Sequence, residues 1–139
     1  MRCPEKKAVA STDPEHPMDE SWHAGPFDHE RLDAFRVARE ALRLGYALSR
    51  RLPRGHAKLQ DQLQRALLGA YLQVAEAASR TGRDRLARFR AARGEASEAA
   101  AALEAVALLD LAPRTEVEPV IRLLGRLCAM LTRLGGLGR

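Results

Sequence analysis

The spacing of apolar residues constrains this 139-residue chain most strongly, because its period is helical and its interruptions are short. Apolar side chains recur at steps of three and four in four segments, which predict helices over about 28–51, 57–80, 84–111 and 116–134. Helices of about 20 residues are about 30 Å long. Such short connections place consecutive helices side by side in opposite directions. The sequence therefore predicts an all-α fold, an antiparallel up-down-up-down four-helix bundle.

Composition and breaks in the pattern divide the chain into three parts. Ala, Leu and Arg dominate the helical part, whereas the segment over 1–26 is rich in Pro, Ser and charge and is expected to be a disordered tail. The bundle is predicted over 27–135, followed by a frayed end over 136–139. Trp22 is expected to pack onto the bundle as a lid, the alternative being a short binding motif. With no apolar run that spans a bilayer and no signal-peptide core, we expect a cytoplasmic protein without a membrane role.

No arrangement of residues in the sequence predicts catalysis, a metal or a cofactor. The histidines lie in the tail, at a helix start and in a loop, at His16, His23, His29 and His56. None of them forms the Glu-x-x-His pair of a di-metal bundle on a bundle-facing stripe. Cys3 and Cys128 fit no zinc or redox spacing, and Glu95 and Glu98 have no histidine or nucleophile nearby. We therefore expect a protein that is not an enzyme.

Positive charge is concentrated in the predicted bundle. The formal net charge is +5, but residues 1–26 hold three basic and five acidic side chains, so the remainder carries +7. A basic folded part is compatible with a polyanion such as RNA or DNA. The alternative is that the arginines only keep the protein soluble.

Two arginine clusters are the candidate nucleic-acid contacts. The first, at the start of the third helix, comprises Arg83, Arg85, Arg88 and Arg90. Cations there lie near the positive end of that helix dipole, a local cost that favours a functional role. The second, around the first loop, comprises Arg50, Arg51 and Arg54. The topology separates the clusters to opposite ends of a monomer, although an oligomer could align either one into a ring.

Charged residues within the apolar stripes predict a structural network. Gly94 costs about 1 kcal/mol relative to alanine in a helix interior, so we expect it at a close helix contact. An unpaired charge in a core costs about 3–5 kcal/mol. We therefore predict partly buried pairing among four residues of the second and third helices, Arg65, Glu76, Arg93 and Glu98.

Four stretches in register resemble one known family. They are FDHERLDAFRVAREAL, QLQRALLGAYLQVAEAASR, RFRAARGEASEAAAAL and LLGRLCAMLTRL. They are similar to motifs of the four-helix-bundle proteins first noticed as reading frames in intervening sequences of large-subunit ribosomal RNA genes. The resemblance covers about 27–135. Residues at the family's signature positions are Arg65, Glu76, Arg93, Gly94 and Glu98, whereas Gln73 and Ala77 replace its Asn and Gly.

The resemblance implies an assembly more strongly than a reaction. Members of the family form homopentamers, and a related branch, the accessory variability proteins of diversity-generating retroelements, binds nucleic acid and a reverse transcriptase. We therefore expect a homopentamer that binds RNA or DNA with low sequence specificity, because few aromatic side chains are present to stack on bases. A reverse transcriptase is the kind of protein partner implied. The alternative is a non-catalytic interaction scaffold or accessory subunit whose tail engages a partner.

Overall fold

The predicted helices form in the computed structural model, which describes residues 27–138. They are α1 (Asp33–Arg50), α2 (Ala57–Ala78), α3 (Gly82–Leu108) and α4 (Arg114–Leu134), with a short 3₁₀ turn, Asp28–Arg31, before α1. No strand occurs over 27–138. The all-α four-helix bundle is thus confirmed, whereas the predicted tail with Trp22 and Cys3 lies outside the described residues.

The start of α1 differs from the prediction. Asp28 begins the 3₁₀ turn, and Leu32 occupies the N-cap position of α1 in an extended conformation, without a side-chain capping hydrogen bond. Aromatic packing accompanies this turn: the His29 ring lies 4.6 Å from that of Phe35 and 5.7 Å from that of Phe27. The α-helix therefore begins after this turn, later than predicted, where His29 of the turn packs against Phe35 of α1.

Each helix packs against two neighbours. Along the chain α1 lies beside α2, α2 beside α3 and α3 beside α4, and α4 closes the ring against α1, whereas the backbones of the diagonal pairs do not come close within the described chain. The contacts between α1 and α2 join the early part of one helix to the late part of the other. Gln60, early in α2, bonds to the carbonyl of Ser49, late in α1, and Tyr71, late in α2, contacts Phe35, early in α1. The α1–α4 side and the α2–α3 side are consequently opposite faces of the bundle.

The core is built from the apolar stripes that the sequence predicts. Phe35 and Phe89 are its largest fully buried side chains, and the leucines of α2, α3 and α4 fill the remaining layers. Burying each such side chain contributes about 1.5–3 kcal/mol. On α3 the core stripe is dominated by alanine, with Ala92, Ala96 and Ala99 all fully buried, which lets neighbouring helices lie close to it.

Close helix contact occurs at Gly45 rather than at Gly94. A Cβ on Gly45 would lie 2.7 Å from Leu67 Cδ1 and 3.3 Å from Val120 Cγ1, so a larger residue there would force the buried Leu67 side chain to shift where α2 and α4 converge on α1. A Cβ on Gly94 would meet nothing within 4 Å. The prediction that Gly94 lies at a close contact is wrong within one chain, because its face of α3 points away from the other three helices.

Candidate nucleic-acid interface

Two arginines of the α3 cluster bind the ends of neighbouring helices. Arg85 Nη1 lies 3.4 Å from the carbonyl oxygens of both Ala77 and Ala78, and its guanidinium lies 5.0 Å from the centroid of the Phe89 ring. Arg90 Nε donates to the Gly135 carbonyl at 2.8 Å. These carbonyls belong to the ends of α2 and α4, where the helix dipole is negative and donors are needed. These bonds therefore offset the electrostatic cost of placing Arg85 and Arg90 near the positive end of the α3 dipole. That cost consequently does not support a functional role for either residue.

Ion pairs engage most of the other basic side chains at this end. Arg80 bonds to the Glu76 carboxylate and lies 3.4 Å from Asp84, and Arg88 Nε lies 3.6 Å from the same aspartate. The hydrogen bond from Arg80, followed by its charge, lowers the pKa of Glu76 below its usual value. Arg83 is exposed and pairs with none of the described residues. Of the predicted cluster, only Arg83 keeps its guanidinium uncommitted.

The second predicted cluster lies at the other end of α2. Arg50 lies over the Tyr46 ring at 5.1 Å from its centroid, and Arg51 Nη2 bonds to Glu116 Oε2 at 3.1 Å. Arg54 is exposed in the loop, without a hydrogen bond or ion pair to any residue in the described range. Each of the two clusters thus contains one uncommitted arginine, and the length of α2 separates them.

The predicted polar network does not form within the chain. Arg65 pairs with Asp61 at 3.7 Å, Glu76 pairs with Arg80, and Arg93 Nε donates to Thr132 Oγ1 at 2.8 Å. Glu98 is exposed and bonds to no other residue over 27–138. The prediction of mutual, partly buried pairing is therefore wrong for the single chain. All four residues lie outside the core stripes.

The largest excess of positive charge lies on α1 and α4. Each of these helices carries four arginines against two acidic residues, whereas α2 and α3 together carry seven basic residues against six acidic ones. We define the α1–α4 face by its arginines, Arg36, Arg39, Arg43, Arg50, Arg114, Arg122, Arg126 and Arg133. The sequence carried a signal for it in the steps between these arginines, which are three, four and seven residues on α1 and eight, four and seven on α4. Only the adjacency of α1 and α4 joins the first and last helices into one surface.

Two shallow pockets follow the seam between α1 and α4. One, of about 440 Å³, is lined by Arg43 and Arg51 of the first helix region and by Glu116 and Pro119 of α4. The other, of about 400 Å³, lies towards the start of α1 and includes Arg133. The seam is therefore a broken groove with arginine on its walls.

The opposite face, made by α2 and α3, exposes leucine and small residues beside its charged side chains. Leu68 and Leu72 of α2 are 43% and 53% exposed. The outward positions of α3 beside them carry small residues, Ala87, Ala91, Gly94 and Ala101. We call this surface the α2–α3 face.

Neither a metal site nor a membrane span is found in the described part of the chain. No group of three His, Cys, Asp or Glu side chains there is placed to hold a metal ion. None of the described helices combines the length and apolarity needed to cross a bilayer. No protein-family model matches this chain, and no curated protein matches it.

Proposed function

We propose that this protein is a homo-oligomeric four-helix bundle that binds RNA or DNA through an arginine-rich surface, with low sequence specificity and without catalysis. The observation that carries the proposal is the excess of four positive charges on α1 and α4, all from arginine. Guanidinium groups match phosphate oxygens in bidentate geometry, and such contacts are largely independent of base sequence. The resemblance to the ribosomal-RNA intervening-sequence family supports the same function and favours a pentamer.

The α2–α3 face supports self-association. Exposed Leu68 and Leu72 lie beside the small residues of α3, so a second copy can bring its helices close and bury the leucines. Exposed apolar patches of this kind mark interaction sites. Arg65 and Glu76 on α2 and Glu98 on α3 border this face. In an assembly they would pair across the interface, and the polar network would then form between chains rather than within one.

The same face gives the second candidate, an interaction scaffold that binds a different protein, such as a reverse transcriptase, and does not bind nucleic acid directly. Leu68 and Leu72 favour it as much as they favour self-association. The scaffold differs from the first candidate in that the arginines of α1 and α4 would only keep the protein soluble.

Salt-dependent binding separates the two candidates. We expect a labelled RNA duplex, and a DNA duplex of the same sequence, to bind in fluorescence anisotropy titrations, with affinity falling steeply between about 50 and 200 mM salt. A log–log slope of about −4 or steeper would indicate several released counterions. Equal slopes for the two duplexes would support backbone recognition. No binding at the lowest salt would overturn the proposed function and leave the scaffold.

A further inference from the structure

We propose that the α1–α4 face, which shares only Arg50 with the two predicted clusters, binds the phosphate backbones of a nucleic-acid duplex. The inference rests on the proposed function and assigns it a surface. Two arginines of the cluster at the α3 start, Arg85 and Arg90, are held by helix-end carbonyls, and Arg88 and Arg51 are held by acidic residues. Recruiting these side chains to phosphate would uncover helix ends or break ion pairs.

The arginines of α1 and α4 form two rows of suitable size. Helices of 18 and 21 residues are about 27 and 32 Å long, and packed helix axes lie about 8–10 Å apart. The rows therefore run side by side across a surface about 30 Å long. Their separation is similar to the widths of the grooves of B-form DNA, roughly 6–12 Å. Each row of arginines can thus follow the phosphate backbone of one nucleic-acid strand along the edge of a groove.

Few acidic groups offset the charge of this surface. Glu40 is already paired with Arg43, and Glu116 with Arg51. On α4, Arg126 and Arg133 are exposed and form no hydrogen bond or ion pair with a residue of the described range. These two side chains can meet phosphates without losing an existing partner, so they are the contacts that we place first.

The chemistry of the face favours a duplex over other anionic partners. The basic residues of α1 and α4 are all arginine, which binds phosphate more specifically than lysine. Among the described residues, none of the exposed large apolar side chains lies on α1 or α4, so the face has nothing to insert into a lipid bilayer. Its one aromatic residue outside the core, Tyr46, already lies under Arg50. Stacking on unpaired bases is therefore not available.

Two matched double substitutions test the placement. Arg126→Glu with Arg133→Glu reverses two exposed, unpartnered arginines on the α1–α4 face, and Arg54→Glu with Arg83→Glu reverses two such arginines at the ends of α2. Both variants lose the same net charge. We expect the first to weaken binding to an RNA duplex at least about tenfold and to reduce the salt slope by about 2, because each phosphate contact contributes about one unit. We expect the second to weaken binding less than about threefold, through net charge alone.

The remaining outcomes separate the inference from the function on which it rests. If the natural sequence binds and the Arg54/Arg83 variant loses more affinity than the Arg126/Arg133 variant, the face is wrong and the function stands. If the natural sequence does not bind, the function itself fails. Tighter binding to a single strand, or equally tight Arg126-dependent binding to phosphatidylserine vesicles, would overturn the duplex assignment. The control for misfolding is Arg126→Gln with Arg133→Gln, which removes the two charges without reversing them. We expect its loss of binding free energy to be about half that of the glutamate variant.

Discussion

At the scale of single residues, the arginines of this protein differ in the groups that their side chains contact. Arg85 and Arg90 donate to carbonyls at the ends of other helices, whereas Arg83, only two residues from Arg85, is exposed and uncommitted. Adjacent positions on a helix point about 100° apart, so neighbours in sequence meet different surroundings. An arginine-rich stretch is therefore not one functional unit.

The ion pair between Arg43 and Glu40 is expected to matter more for stability than the exposed pairs. Glu40 is only 8% exposed and carries a charge that Arg43 neutralises. Arg43→Met should lower the free energy of unfolding by about 1–3 kcal/mol, because a buried carboxylate loses its partner. The control is Arg51→Met, whose exposed pair with Glu116 should contribute less than about 1 kcal/mol. Urea denaturation at neutral pH measures both, and equal losses would contradict the distinction.

At the scale of helices, α3 differs from the other three. Its core side carries Phe89, Leu103 and Val106, but its outward side also carries many small residues, so the contrast between its faces is weak. In the single chain, α2 and α4 flank the core side of α3 and leave Gly94 facing solvent. The small outward residues of α3 are therefore compatible with the assembly proposed above.

Glycine-to-alanine substitutions distinguish close packing from exposed positions. Gly125→Ala adds a methyl group to open space and should raise the free energy of unfolding by about 0.5–1 kcal/mol through helix propensity. Gly45→Ala has the same propensity gain, but its Cβ would meet Leu67 and Val120, and overpacking costs about 1–3 kcal/mol. We therefore expect a lower thermal midpoint for Gly45→Ala alone. A rise equal to that of Gly125→Ala would show that the core relaxes around the methyl group.

At the scale of the whole molecule, the bundle has two unlike sides. The α1–α4 face collects arginine, and the α2–α3 face presents leucine and small residues. Because these sides lie on opposite helix pairs, self-association through one leaves the other open. An assembly built in this way would carry its positive surfaces outward in several copies, and multiple contacts would strengthen binding to a long nucleic acid.

The assembly itself can be tested at Leu72. We expect light scattering to give the natural sequence a mass that is a multiple of the 15.3 kDa chain, about fivefold if the family resemblance extends to the assembly. Leu72→Lys should return it to the mass of one chain, since a charge would be buried in the interface. Leu137→Lys is the control, because Leu137 is 50% exposed but lies beyond α4. A monomeric natural sequence, or an assembly unaffected at Leu72, would contradict the proposed interface.

The sequence alone determined the helices and their core stripes. The steps of three and four bury Leu63, Leu67 and Val74 on one side of α2, and short connections keep successive helices adjacent. These features follow from local geometry, which the order of residues contains directly. The same local reasoning assigned Gly94 to a close contact and Arg65, Glu76, Arg93 and Glu98 to a partly buried network. The structure of the single chain places them outside its core.

Only the tertiary structure decided which polar groups meet between different helices. Arg90 bonds to Gly135, and Arg51 bonds to Glu116, across separations that no local pattern encodes. The α1–α4 face likewise exists only because the last helix closes against the first. Helix period sets the direction of a side chain about its own axis. The packing of the other helices determines whether that direction leads to a carbonyl, a carboxylate or solvent, and hence whether an arginine stabilises the fold or remains exposed for a ligand.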